Sequence, residues 1–206
     1  MLGHEKRGNV LSAFHKAQPH GFSLIELMIG IAIFSITLTF GVSSYRTWVQ
    51  NTQIRNAAES IQNGVQRTRA EAVKRNVNIE FVLGATYPWK IQLPGNTFKC
   101  PGEVGFDPNV DIVGTTLLVC STSEGSKNVT VSAIDKDGND ATTITLSNLG
   151  AVVANADASE ALARVDLDSS VLDTADSRDL RVTIGLGGIV RMCDPNLAAG
   201  SSPRAC

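Results

Sequence analysis

Residues 22–42 read FSLIELMIGIAIFSITLTFGV, an apolar run interrupted by a single charge, Glu26. At 1.5 Å per residue, a helix of about 20 such residues spans roughly 30 Å, the thickness of a bilayer's hydrocarbon core. A helix that is apolar on every face must lie in lipid or among other helices. Lys6, Arg7 and Lys16 precede the run against Glu5, and close behind it only Arg46 follows. The positive-inside rule therefore leaves the start of the chain in the cytoplasm and sends the remainder outward.

Neither a secretory signal nor a plain anchor accounts for this segment. A secretory signal has a shorter apolar core followed by a small-residue cleavage site, whereas SSYRTW follows Val42. A plain anchor fits the length but leaves Glu26 unexplained. A carboxylate at mid-membrane costs roughly 2.5–3.5 kcal/mol, less near the interface, and such a residue is usually there for function.

The junction just before the run supplies a third reading. Gly21-Phe22-Ser23-Leu24-Ile25-Glu26-Leu27 resembles the prepilin peptidase site of type IV pilins and type II secretion pseudopilins. The resemblance implies cleavage between Gly21 and Phe22, N-methylation of Phe22 and an assembly role for Glu26, the fifth residue of the mature chain. In that role Glu26 pairs with the α-amine at Phe22 of a neighbouring subunit. Pairing offsets the burial of both charges, and a wrong register leaves each without a partner. The implied partners are other pilin and minor-pilin subunits, a prepilin peptidase and an inner-membrane assembly platform. The implied location is the inner membrane, single-pass with a periplasmic head, and later a filament at the cell surface.

Special residues are distributed in keeping with a removable leader at 1–21. His4, His15 and His20 are the only histidines, so a chain beginning at Phe22 has none. That excludes Ser/His/Asp and Cys/His nucleophilic sites and a histidine-ligated metal, and the expectation is a non-enzyme without cofactor or metal. Leader removal takes three basic and one acidic residue from totals of 18 and 20, leaving 15 and 19. A mildly acidic chain is a poor global match for nucleic acid.

Cys100, Cys120, Cys193 and Cys206 form no C-x-x-C pair, which argues against a zinc ribbon or a thioredoxin-like motif. Beyond an export segment, an even count reads as two disulfides. Of three connectivities, Cys100–Cys120 with Cys193–Cys206 is preferred, because each pair closes a short loop and the second staples the C-terminus.

Past Tyr45, Trp48, Val49, Ile54, Ala57, Ala58, Ile61, Val65, Ala72 and Val73 recur at mostly helical spacing. Lys74 and Arg75 suit a helix C-terminus and Asn76 a stop, so one assembly helix is expected over 22–76. Its first half is apolar all round; its second is amphipathic and covers a head at 77–206. There the period turns to alternation. Val77, Ile79, Phe81 and Leu83 form one strand face, and Trp89, Ile91 and Leu93 another. Further strands are expected at 110–120, 128–134, 142–147, 150–155, 162–167, 179–185 and 189–193. The fold class is α+β, a long N-terminal helix with an antiparallel sheet packed on it.

RTRAEAVKRNVNIEFVL at the helix end, SNLGAVV at 147–153 and RVTIGLGGIVRMCDP with the terminal PRAC resemble FimT/FimU-like minor pilins and the related GspH-like pseudopilins. The paired cysteines and PRAC favour the minor pilins. The implied function is a structural subunit that helps initiate or cap a type IV pilus; a GspH-like secretion pseudopilin is the near alternative. Some FimT-like proteins bind DNA through a C-terminal G-R-x-R stretch. Here the matching residues are Gly188-Ile189-Val190-Arg191, and the missing first arginine argues against DNA as a partner. Arg181, Arg191 and Arg204 are the residues that would make such contacts. Arg67, Arg69, Lys74 and Arg75 read as a solvated face near the helix end. Asp135-Lys136-Asp137-Gly138-Asn139-Asp140 opens like a calcium loop but has Leu146 where a bidentate Glu is needed, so a hairpin turn is the better reading. Asn128-Val129-Thr130 matches a glycosylation pattern and reads as strand.

Overall fold

The computed structural model describes residues 21–84, 89–101, 103–110, 117–121 and 126–206; the leader up to His20 and residues 111–116 of the expected 110–120 strand lie outside them. The chain divides into two compact units, Met1–Val42 and Ser43–Cys206. Helix α1 (Leu24–Arg75) contributes to both, so the amphipathic half belongs with the head rather than with the apolar half.

Local chemistry sets both ends of α1. Ser23 is the N-cap: its Oγ accepts the Ile25 N–H at 3.3 Å, and its carbonyl accepts the Leu27 N–H at 3.1 Å. Glu26 in the first turn, and Lys74 and Arg75 in the last, complement the helix dipole. At the other end Asn76 takes a positive φ of 55°. The Val77 N–H reaches back to the Ala72 carbonyl and the Asn76 N–H to that of Val73, each at 3.3 Å. This is a Schellman closure, with asparagine in the left-handed position more often held by glycine.

Within the head unit, Ile54, Ala58, Ile61, Val65, Thr68 and Ala72 are buried at alternating spacings of four and three, one stripe along the helix. Thr68 is its polar member and bonds the Gly64 carbonyl at 2.9 Å. Trp48 and Val73, expected on the packed face, lie off this stripe and are 63% and 54% exposed. Trp48 instead sits against Tyr45, ring centroids 6.0 Å apart.

Among the described residues the head holds two antiparallel sheets where the sequence pointed to one. The first comprises β1 (Ile79–Val82), β2 (Lys90–Gln92), β3 (Leu117–Cys120), β5 (Thr143–Leu146) and β6 (Val152–Val153), in the order β3-β2-β1-β5-β6. The second is β4 (Val129–Ile134), β7 (Arg164–Ser169), β8 (Leu180–Ile184) and β9 (Val190–Cys193), in the order β4-β7-β8-β9. Val77, expected on the strand face, precedes β1 and is exposed, and its N–H closes α1 instead of joining the sheet. The helical stripe, Ile79, Phe81, Ile91, Ile144 and Leu146 of the first sheet, and Val165, Leu167 and Val182 of the second form one hydrophobic cluster.

The split between sheets occurs at residues 135–140. The Ala141 N–H bonds the Ala133 carbonyl at 3.0 Å and Ile134 bridges Asp140, as in a hairpin. The arms then part, β4 pairing with β7 and β5 with β1. Asp135 fixes this turn by accepting the N–H groups of Asp137 and Asn139 at 2.7 and 2.9 Å. Desolvation opposes its ionisation, but the bonds from Asn139 and Asp137 prevail and hold its pKa below the usual carboxylate value. The Asp135 carboxylate is thus turned onto its own loop, as in an Asx-turn.

Candidate assembly surface

Phe22 and Glu26 stand at the start of the apolar helix, where they line one shallow groove of about 480 Å³ with Leu27, Gly30, Ile31 and Phe34. Phe22 is 87% exposed, and the large apolar side chains from Leu24 to Leu38 are exposed around the whole helix. The hydroxyls in this stretch are turned inward: Ser23 caps the helix, Ser35 bonds the Ile31 carbonyl at 2.8 Å and Thr37 that of Phe34 at 2.9 Å. Such back-bonding lets a polar side chain sit on an apolar helix without a partner outside it. Glu26 remains as the charge of the segment, with an apolar surround that favours an opposite charge beside it. Among the described residues no helix is long and apolar enough to cross a membrane. The side chains of residues 39–43, which complete the apolar run in the sequence, lie outside that description.

The cysteines join as Cys100–Cys120 and Cys193–Cys206, with Cα atoms 5.8 and 5.1 Å apart. The first ties the segment after β2 to edge strand β3. The second ties β9 to the C-terminus, where Asp194 and Ala205 form a bridge.

Two of the three arginines singled out as DNA contacts are engaged within the head. Arg181 pairs with Asp166 across β7 and β8 at 2.5 Å, and Arg164 meets the same carboxylate at 3.0 Å. Arg191 donates to the Pro203 and Ala205 carbonyls at 3.2 and 3.3 Å, bracing the C-terminal staple. The backbone of Arg204 takes part in the same closure, its carbonyl accepting the Asp194 N–H at 2.7 Å. Near the helix end, Arg75 and Lys74 both reach Glu71, at 2.8 and 3.8 Å. The Arg75 hydrogen bond, aided by Lys74 and Arg67 and opposed by desolvation, holds the Glu71 pKa below its usual value. Among the described residues no group of three or more His, Cys, Asp or Glu is placed to hold a metal.

Residues 17–42 match the prokaryotic N-terminal methylation motif. Residues 57–188, well over half of the chain, match the family described as type II transport protein GspH. The chain belongs to the GspH family. This GspH-family pilin is also similar to FimU, a type IV minor pilin of Pseudomonas aeruginosa, in two crystal forms. One is 15% identical, with 70% of this chain and 91% of that chain covered at a TM-score of 0.42. The other is 16% identical, with 67% and 90% covered at a TM-score of 0.36.

Several residues that organise this pilin head carried no flag in the sequence reading. Gly64 is one: a Cβ there would lie 2.7 Å from the Phe81 ring and 2.8 Å from that of Trp89. Its position inside the stripe of an amphipathic helix was the available signal, since glycine there marks a close approach. Glu80 and Gln92, directly opposed on β1 and β2, are buried and joined at 3.2 Å. Asn155 is a fourth, buried and bonded to Thr145 Oγ1 at 2.9 Å and to the Thr143 carbonyl at 3.2 Å.

Proposed function

We propose that this GspH-family pilin is a minor subunit of a type IV pilus, made from a precursor by cleavage between Gly21 and Phe22 and methylation of Phe22. The observation that carries the reading is the pairing of Phe22 and Glu26 in one groove, at the start of a helix apolar on every face. Cleavage creates an α-ammonium at Phe22. In an assembled filament, Glu26 of one subunit neutralises that amine on its neighbour while the exposed aliphatic side chains bury one another. The leader places the N-terminus in the cytoplasm and the head in the periplasm until an inner-membrane assembly platform extracts the subunit. A prepilin peptidase is the processing partner. The head acts in pilus initiation by choosing neighbouring minor pilins.

A secretion-type pseudopilin is the second reading, favoured by the family description over 57–188. DNA capture is not proposed, since Arg181 and Arg191 are engaged within the head.

Surface filaments sheared from the native host test the assembly role. Wild-type protein is expected in the sheared fraction, and Glu26→Ala is expected to be processed yet retained in the membrane. Equal incorporation of the two would remove Glu26 from the assembly mechanism. Absence of the wild-type protein from surface filaments, with secretion lost on its deletion, would favour the pseudopilin.

A further inference from the structure

The loop joining β7 to β8 is fastened to α1 and to the sheet through neighbouring residues. Asn51 of α1 donates to the Asp176 carbonyl at 3.0 Å and accepts the Arg178 N–H at 2.9 Å. Between those two stands Ser177, which is 7% exposed. Its Oγ lies 2.7 Å from Asp168 Oδ1 and 2.8 Å from Asp179 Oδ1. A hydroxyl has one proton to donate, so both contacts are hydrogen bonds only when one of the two carboxyls carries a proton of its own.

Strand register forces the two acids together. They follow directly on the Leu167–Leu180 pair that ends the β7–β8 ladder, so they stand opposite each other, where like charges repel. The neighbouring charges are engaged elsewhere or exposed. Arg181 of β8 and Arg164 of β7 both pair with Asp166, and Arg55 of α1 pairs with Glu59. From β4, Thr130 lies opposite Asp168, with Lys127 exposed ahead of that strand. In the loop itself Asp173, Asp176 and Arg178 are exposed. The C-terminal segment supplies Asn196, which donates to Asp179 Oδ2 at 3.2 Å, while Asp194 is turned onto the Asn196 N–H. Burial raises the Asp179 pKa and Asp168 beside it adds to the rise, against the bonds from Ser177 and Asn196; the Ser177 bond holds Asp168 below the usual carboxylate value. The order of donation is then Asp179 to Ser177 and Ser177 to Asp168.

We propose that Asp168, Ser177 and Asp179 form a one-proton latch that clips the β7–β8 loop to α1. With the proton in place, Ser177 is held between the acids and its neighbours reach Asn51. When the proton leaves Asp179 for water, two carboxylates face a single hydroxyl proton, and their repulsion frees the loop. The pair titrates as a unit. The latch lies within the head unit and operates in a pilin and a pseudopilin alike.

The test uses the full chain in detergent, with ¹³C at the aspartate carboxyls and ¹⁵N in the backbone. Carboxyl spectra from pH 4 to 8 should show one proton leaving the Asp168–Asp179 pair above the usual aspartate range. Across the same step, exchange protection of the Arg178 amide, corrected for the intrinsic pH dependence, should fall about tenfold for each unit by which closure raises the pKa. Asp179→Asn puts an N–H where the acid proton was, and Arg178 should stay protected throughout. Asp168→Asn, which also leaves a single carboxyl, should flatten the profile too; unchanged Phe81 and Trp89 core signals identify folded variants. The latch is overturned if both carboxyls titrate in the ordinary range, if Arg178 protection ignores the step, or if the pH dependence survives in Asp179→Asn.

Discussion

Trp89 donates its indole N–H to Ser60 Oγ at 2.9 Å, fastening the start of β2 to α1. The bond holds the indole beside Phe81, ring centroids 5.8 Å apart, and both rings lie over Gly64. The helix approaches the sheet this closely because position 64 has no side chain.

Gly64→Ala should therefore destabilise the head. Alanine favours the helix by up to about 1 kcal/mol, but its methyl would press into two rings that are nearly or fully buried. Overpacking of this kind costs about 1–3 kcal/mol, and the net effect is a loss. A lower thermal midpoint for the alanine variant, with the disulfides intact, checks it.

A second prediction concerns the stop of α1. Asn76 holds a left-handed conformation and its Oδ1 accepts from Asn148 Nδ2 at 2.8 Å. Asn76→Gly keeps the backbone relaxed and loses only the exposed bond, so stability should change by less than about 1 kcal/mol. Asn76→Val places a β-branched residue at positive φ and should lose about 1–2 kcal/mol or more. Denaturant unfolding of the two variants separates them.

Glu80 sets a pH dependence. Burial raises its pKa, while the bonds from Gln92 and the Gly95 backbone only partly oppose that shift. A carboxyl with a raised folded-state pKa binds protons preferentially in the native protein. Its contribution to stability thus falls as pH rises from the usual glutamate range through the raised value, and levels off above it. Glu80→Gln should remove this slope and stabilise the head at neutral pH. Unfolding midpoints measured from pH 4 to 8 test both the sign and its loss in the variant.

Removing the C-terminal staple supplies a fourth test. Cys193 and Cys206 close a loop of 13 residues in sequence separation. Chain-entropy reasoning assigns such a loop about 3 kcal/mol. The double alanine variant should unfold at lower denaturant by that amount, because the Arg191 bonds to the Pro203 and Ala205 carbonyls do not replace the covalent tie.

The helix, its stop and the positions of most strands were legible because each is written locally. The stripe from Ile54 to Ala72 repeats at helical spacing, Asn76 follows two cations, and most strands alternate. The two-sheet head was not legible. Residues 135–140 read correctly as a turn, but which strand each arm joins is decided by long-range pairing with β7 and β1. Likewise Arg181 and Arg191 looked available in the sequence. Their partners Asp166, Pro203 and Ala205 are 12 to 15 positions away and meet them only through strand register and the C-terminal closure. The proposed Phe22–Glu26 site rests on the most local signal of all, one charge in a long apolar run.

That site also gives the most direct measurement. Intact-mass and N-terminal peptide mass spectrometry of the membrane-bound protein, from cells with active prepilin peptidase, should find N-methylated Phe22 as the first residue. A chain that retains its leader, or that begins anywhere other than Phe22, would contradict the account.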